Sequence, residues 1–238
     1  MFFFRRKVKR VHMVVFANSR KPGGRCVAGK IYENGEIKGW IRPVSARQGQ
    51  EINFEERKLG KNAEPSLLDV LDISVFYNHE PGPGFQPENR LIYRKPWRKV
   101  DSLSMDSVLR YALDDPDTLW ENGYDGKNSR IPAAVVSKRK RQLPSLYLIH
   151  TKVLLVDEIK HSGSSNTRWY GVFWHHGVKY KLRITDPVFE TRLAQSGQIK
   201  FNNVILCISL GESHVSEHVD QGRTAYHYKL IAGVMHND

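Results

Sequence analysis

A chain of 238 residues with 40% hydrophobic and 26% charged side chains can bury a real core, and its composition excludes a disordered chain. No apolar run approaches membrane-spanning length, so no membrane partner is expected. A net charge of +12 and a pI near 9.7 favour polyanionic partners, nucleic acid first.

The excess of Lys and Arg falls on residues 1–60 and 135–238, whereas residues 61–134 are slightly acidic. Two basic ends around an acidic centre suit a polyanion footprint better than a uniform solubilising coat does. Two cysteines, Cys26 and Cys207, do not make a disulfide scaffold. The opening MFFFRRKVKR has its apolar and basic parts in the wrong order for a signal peptide, so a cytoplasmic protein is expected.

In chain order, VHMVVFAN (11–18) reads as a first strand covered on both faces. The stretch ANSRKPGGRCVAGK (17–30) sets Arg20, Lys21 and Arg25 around a Pro-Gly-Gly turn. Its glycines and exposed amides suit an anion-holding nest, with Asn18 and Ser19 able to hydrogen-bond a base or sugar. The plainer reading is a solvated turn. Residues 26–44 read as a hairpin turned at Asn34-Gly35. A simple two-residue loop pairs Gly29 with Trp40 and Val27 with Arg42, and leaves Trp40 and Arg42 on one face with space over Gly29 for a ring.

A further strand is expected in 67–80, ended by the Pro/Gly cluster that follows, and a helix in 104–115 with Ser104 as N-cap. Residues 114–145 are rich in turn formers and read as a connection between an N-terminal half (1–113) and a C-terminal half (146–238). The second half opens with a strand over 145–160 and a hairpin over 167–186 turned at His176-Gly177. A short helix follows Asp186, with Pro187 at its first position, and then two terminal strands. The expected fold is mainly β with a few short helices, built as two small barrels.

Alternation sorts the second hairpin into two faces. Trp169, Phe173, Val178, Tyr180, Leu182 and Ile184 make a core face. Arg168, Tyr170, Trp174, Lys179, Lys181 and Arg183 make the other. Bases stack on exposed aromatic rings while Lys and Arg follow phosphates, so this pattern suits single-stranded DNA or RNA. Cross-strand pairing on an ordinary solvated face is the alternative.

Catalytic signatures are weak. Asp157, Glu158 and Lys160 end a strand as a metal-dependent nuclease motif does, but lack an obvious upstream acid. His214 and His218 have the i, i+4 spacing of metal ligands if helical, and no third ligand is evident. His175-His176 reads as part of a turn. No phosphate loop or dinucleotide fingerprint is present, so no cofactor is expected and a noncatalytic module is favoured. A nucleotide or modified-base sensor is the alternative, with a nuclease behind it. A protein partner in a larger assembly is compatible with either.

The motifs ANSRKPGGRCVAG, GWIRPVS, QPENR, YKLRITDPVFE, CISLGE and YHYKLIAGV occur in that order. Together they resemble the dual OB-containing domain, a bacterial family. The resemblance implies two OB-like barrels and nucleic-acid or nucleotide binding. It implies roles for Asn18, Ser19, Arg20, Lys21, Arg25, Trp40, Arg42, Pro43, Asp186 and Lys229.

Overall fold

A computed structural model describes residues 7–77, 84–139, 142–160, 167–216 and 219–237. The chain divides into two compact units, Met1–Ala112 and Leu113–Asp238. The first contains strands β1 (Val8–Lys21), β2 (Gly24–Glu33), β3 (Glu36–Val44), β4 (Asp69–Phe76), β5 (Asn89–Leu91) and β6 (Arg98–Ser102), with helices α1 (Phe54–Arg57) and α2 (Met105–Tyr111). The second contains β7 (Arg130–Pro132), α3 (Ala133–Ser137), β8 (Leu146–Lys160), β9 (Thr167–His175), β10 (Val178–Ile184), α4 (Pro187–Ser196), β11 (Lys200–Val215) and β12 (Ala225–Met235).

In the second unit β8 pairs with β9 and β11, β9 with β10, and β11 with β12. A parallel contact between β10 and β12 then closes the ring, Arg183 lying opposite Leu230 and Ile184 opposite Ile231. Five strands in the cyclic order 1-2-3-5-4, with a helix between the third and fourth, form an OB barrel. The first unit repeats the connectivity. There β1 joins β2 and β4, β3 joins β2, and β5 runs parallel to β3. Ile92, just past β5, bridges Val75 of β4 and completes the ring.

Strand alternation supplies the cores. In the first barrel Met13, Val15, Val27, Ile41, Leu71, Ile73 and Val75 form one cluster with Ile52 and Trp97. In the second, Leu154, Phe173, Tyr180, Leu182, Ile184 and Leu206 are fully buried. The expected elements are present, among them α2, whose N-cap Ser104 accepts from the Ser107 amide. The breaker cluster after β4 lies partly in residues 78–83, outside the described residues. Among the described residues no helix is long and apolar enough to cross a membrane.

The second hairpin has its expected register, His175 opposite Val178 through Tyr170 opposite Arg183. His176 (φ 45°) and Gly177 (φ 77°) supply the two left-handed residues of a type I′ turn. The first hairpin departs from expectation. Ile37 faces Tyr32 as a two-residue loop requires, but Trp40 then faces Lys30 and Ile41 faces Gly29. Two residues of β3, Lys38 and Gly39, oppose the single Ile31 of β2, which is a β-bulge. The pairings of Gly29 with Trp40 and of Val27 with Arg42 are therefore wrong by one residue. Past the bulge Ile41, Arg42, Pro43 and Val44 are all buried, so alternation no longer separates core from solvent there.

Each parallel closure carries a buried polar device. In the first barrel Arg42 faces Asn89 across β3–β5 and its guanidinium lies 3.2 Å from Glu88, both side chains 3% exposed. In the second, Asp186 lies two residues past the end of β10. Its Oδ1 accepts from the Val188 and Phe189 amides at 3.1 and 3.2 Å, capping α4, while its Oδ2 accepts from the Val234 amide of β12 at 3.1 Å. Burial pushes the Asp186 carboxyl above its usual range, and the three amide bonds pull against that shift. The Thr185 amide and hydroxyl both donate to the Ile231 carbonyl, at 2.9 and 3.1 Å.

These devices set a stability test by urea unfolding. Glu88→Ala leaves Arg42 buried without its carboxylate and is expected to cost about 3–5 kcal/mol. Asp186→Ala removes a helix cap and a barrel-closing bond, with an expected cost of at least about 1–2 kcal/mol. A loss below about 0.5 kcal/mol in either variant, the range of ordinary surface changes, would show that the corresponding device does not hold the closure.

Candidate nucleic-acid interface

The outward side of the second and third strands is where OB barrels characteristically place oligonucleotide ligands. In the second unit these are β9 and β10, and alternation puts the expected residues on that side. Arg168, Trp174, Lys179 and Arg183 are exposed, and Tyr170 and Lys181 are half-buried. The Trp174 side is open, with 47% of the residue exposed. Cross-strand neighbours assemble pairs of ring and cation: the Lys179 ammonium lies 5.5 Å from the Trp174 ring centre, and that of Lys181 lies 6.0 Å from Tyr170. Lys181 is also engaged by Asp157 at 2.5 Å, which faces Tyr170 from β8. The cationic character of the face is therefore carried mainly by Arg168, Lys179 and Arg183.

The face runs on into a cleft of about 670 Å³ at the hairpin end, lined by Asp114, Asp115, His150, Lys152, Trp174, His175 and His176 among others. The sequence reading did not gather these residues. The adjacent histidines and the acidic DDPD run were visible, but their meeting depends on a chain separation of about sixty residues. The His175 Nε2–H donates to the Pro116 carbonyl at 2.6 Å, and burial pushes its imidazole below the usual range.

The corresponding side of the first barrel is arranged otherwise. The Lys30 ammonium lies 5.1 Å from the Trp40 ring and donates to the Ala112 carbonyl at 2.6 Å. Trp40 meets Phe16 edge-on at 6.1 Å. The expected space over Gly29 is filled: a Cβ there would fall 1.9 Å from the Val14 carbonyl oxygen. Arg42 is held in the closure with Glu88, not displayed beside Trp40.

The Pro22-Gly23-Gly24 turn joins β1 to β2. Its glycines do permit a close approach, but by the chain itself: a Cβ on Gly24 would lie 2.5 Å from the Ile52 carbonyl oxygen, and one on Gly23 3.3 Å from the Glu51 carboxylate. Arg25 exchanges backbone bonds with Ile52 and lies 3.8 Å from Glu64, which Arg57 holds in a two-pronged pair at 2.8 and 3.1 Å. Asn18 donates to the Pro65 carbonyl at 2.8 Å, and buried Ser19 contacts the Cys26 carbonyl at 3.5 Å. Arg20 is exposed and Lys21 half-buried at the turn.

Asp157 and Glu158 are successive residues of β8 and so point to opposite faces, which does not converge them on one ion. The side chain of Lys160 lies outside the described residues. His214 belongs to strand β11, not to a helix, and stacks on Tyr228 with ring centres 4.6 Å apart. The helical spacing expected for His214 and His218 is thus not formed at His214, and His218 lies outside the described residues.

Sequence comparison agrees with the strand order: the dual OB-containing domain profile matches residues 11–234. The chain belongs to the dual OB-containing domain family. No curated protein matches it in sequence. Among solved structures, the tetrameric p202 HIN2 covers 97% of this chain and 92% of its own at 8% identity, with a TM-score of 0.30. The p204 HINb domain covers 95% and 97% at 13% identity, with a TM-score of 0.31.

Several motif residues of this dual OB-containing domain protein are structural. Pro43 sits in the β3–β5 closure opposite Arg90. Lys229, 1% exposed on β12, donates to the Glu121 carbonyl at 2.8 Å and to Asn122 Oδ1 at 2.6 Å. Tyr180 assists, its hydroxyl accepting from the Leu119 amide and from Asn122 Nδ2. Together they bind the 119–122 segment to the barrel wall.

Burial pushes the Lys229 ammonium down to about 7. In the unfolded chain a lysine titrates near ~10.4, so between these values the unfolded state holds the extra proton and stability rises with pH. Unfolding midpoints of wild type and Lys229→Met, compared between pH 7 and 9.5, should show wild type gaining on the variant as pH rises. A constant difference would mean that Lys229 stays charged in its pocket.

Proposed function

We propose that this protein binds single-stranded nucleic acid across β9 and β10 of its second barrel. The observation that carries this reading is Trp174, exposed beside Lys179 on the strand pair that OB barrels use for ligands. Trp174 and Tyr170 serve as stacking platforms, each contributing on the order of 1–3 kcal/mol per base. Arg168, Lys179 and Arg183 follow the phosphates, and Lys181 keeps Tyr170 and Asp157 in register. Arg20, Lys21 and Arg25 form a secondary basic site at the first barrel's turn. The net charge of +12 supplies long-range attraction. Two free cysteines fit a reducing, cytoplasmic setting.

A nucleotide or modified-base sensor is the second reading. It is favoured by the cleft beside Trp174, whose volume of about 670 Å³ lies in the range of small-molecule pockets. Salt separates the two. Phosphate tracking along a single strand lowers log K by about 0.7 per contact for each decade of salt, whereas an enclosed nucleotide responds weakly.

The test is fluorescence anisotropy with labelled single-stranded DNA and RNA, in chelator and at two salt concentrations. Trp174→Ala should weaken binding about 5- to 150-fold. Lys179→Ala with Arg183→Ala should flatten the salt dependence by about 1.4, two contacts' worth. Full affinity in Trp174→Ala would exclude this face, and a loss confined to Arg20→Ala/Lys21→Ala would move binding to the first barrel. Absence of binding to both oligonucleotide types would overturn the reading.

A further inference from the structure

The cleft beside Trp174 holds a set of side chains that the stacking face does not use. Asp115, His175 and His176 each bring one ligand atom, and these atoms lie within 4.8 Å of one another. His176 Nε2 is 2.6 Å from Asp115 Oδ1, and the two imidazole rings meet at 4.4 Å between centres. We propose that Asp115, His175 and His176 form a binding site for a divalent transition ion of the zinc class, open towards the cleft.

Four observations support the assignment. Two imidazoles and one carboxylate are the donor set that zinc-class ions favour over magnesium, which prefers oxygen and water. Tetrahedral ligands at zinc distances of 2.0–2.2 Å stand about 3.3 Å apart, so the three atoms need only small movements to surround an ion. Two of the three side chains can make them, because Asp115 and His176 are exposed. The third is pre-set. His175 Nε2 lies against the Pro116 carbonyl, an arrangement in which Nε2 carries the proton and the lone pair stays on Nδ1. A ligating histidine held through its other nitrogen by a backbone carbonyl is the usual outer-shell arrangement at metal centres.

Local chain geometry explains why consecutive histidines can converge. Successive residues of a strand diverge, but His176 has already left β9 for the left-handed turn at φ 45°. Asp115 is supplied from the 114–116 segment, which is held at the start of β8 by the Asp114 amide donating to the Leu148 carbonyl at 2.7 Å and by the Asp114 carboxylate accepting from the Leu148 amide at 2.8 Å. Three protein ligands leave at least one position free for water or an anionic oxygen. That position faces a cleft whose wall includes Lys152 and Trp174. The site does not depend on nucleic-acid binding, and its test is separate.

Metal-free protein is titrated calorimetrically with Zn²⁺, Co²⁺ and Mg²⁺, and the Co²⁺ complex is read by its visible absorption. The expected result is one Zn²⁺ or Co²⁺ per chain, no saturable Mg²⁺, and quenching of Trp174 emission by Co²⁺. The quenching is assigned by its disappearance in Trp174→Phe. Asp115→Asn and His176→Asn should each weaken Zn²⁺ at least about tenfold. Asparagine tolerates the left-handed turn, as Asn34 does in the first hairpin, so His176→Asn tests the ligand and not the fold. His214→Ala should bind as wild type does. Absence of saturable Zn²⁺ binding would overturn the proposal, as would binding that survives His176→Asn or is lost in His214→Ala.

Discussion

Both barrels depend on one constraint: a short parallel contact between their third and fifth strands must close the ring. Antiparallel neighbours joined by tight turns find each other locally, as β9 and β10 do. The closing pair has no such help and must be held by what surrounds it. In the first barrel it spans only Arg42–Val44 against Asn89–Leu91, and in the second only two residue pairs. So few ladder bonds make a weak seam. Each seam is reinforced by buried polar groups that pair across it or next to it, Arg42 with Glu88 in one and Asp186 and Thr185 with β12 in the other.

Closure decides where a ligand face is available. Once the ring is shut, inward side chains are spent on the core, and function must use the outward faces and the loops. In the second barrel β9 and β10 alternate except at buried Val172, so rings and cations remain outside as a set. In the first, the bulge at Lys38–Gly39 turns the end of β3 into a segment covered on both sides, and Lys30 lies over Trp40. The energetic comparison runs the same way. An exposed ion pair contributes at most about 1 kcal/mol, while one base stacked on an open indole contributes about 1–3 kcal/mol. Trp174 therefore outweighs any single surface cation in assigning the face.

Legibility in the sequence followed the range of the interactions. The second hairpin was readable to the residue because its turn, register and alternation are all local. The Asp186 cap was readable for the same reason, with Pro187 beside it. The first hairpin failed one residue past its readable turn, since a bulge at Lys38–Gly39 has no signature beyond a glycine and a lysine. The fate of Arg42 was illegible because Glu88 lies 46 residues away, in the turn just before a strand of three residues that periodicity cannot detect. Asp115 and the histidines were hidden likewise: the fold, not the sequence spacing, brings them together.

The polar residues that carry the family resemblance and the residues that face solvent on β9–β10 answer to different physics. Asn18, Ser19, Arg42, Asp186 and Lys229 each satisfy or neutralise a backbone or side-chain group inside the fold. A buried polar group left without its partner costs more than the bond itself contributes, so such positions admit few alternatives. A stacking platform tolerates more, because any exposed aromatic ring presents a face to a base. Motif residues in a small barrel are accordingly better guides to how the ring is closed than to what it holds. The ligand is sought where alternation leaves large rings and cations outside together, and among the described residues that condition is met around Trp174.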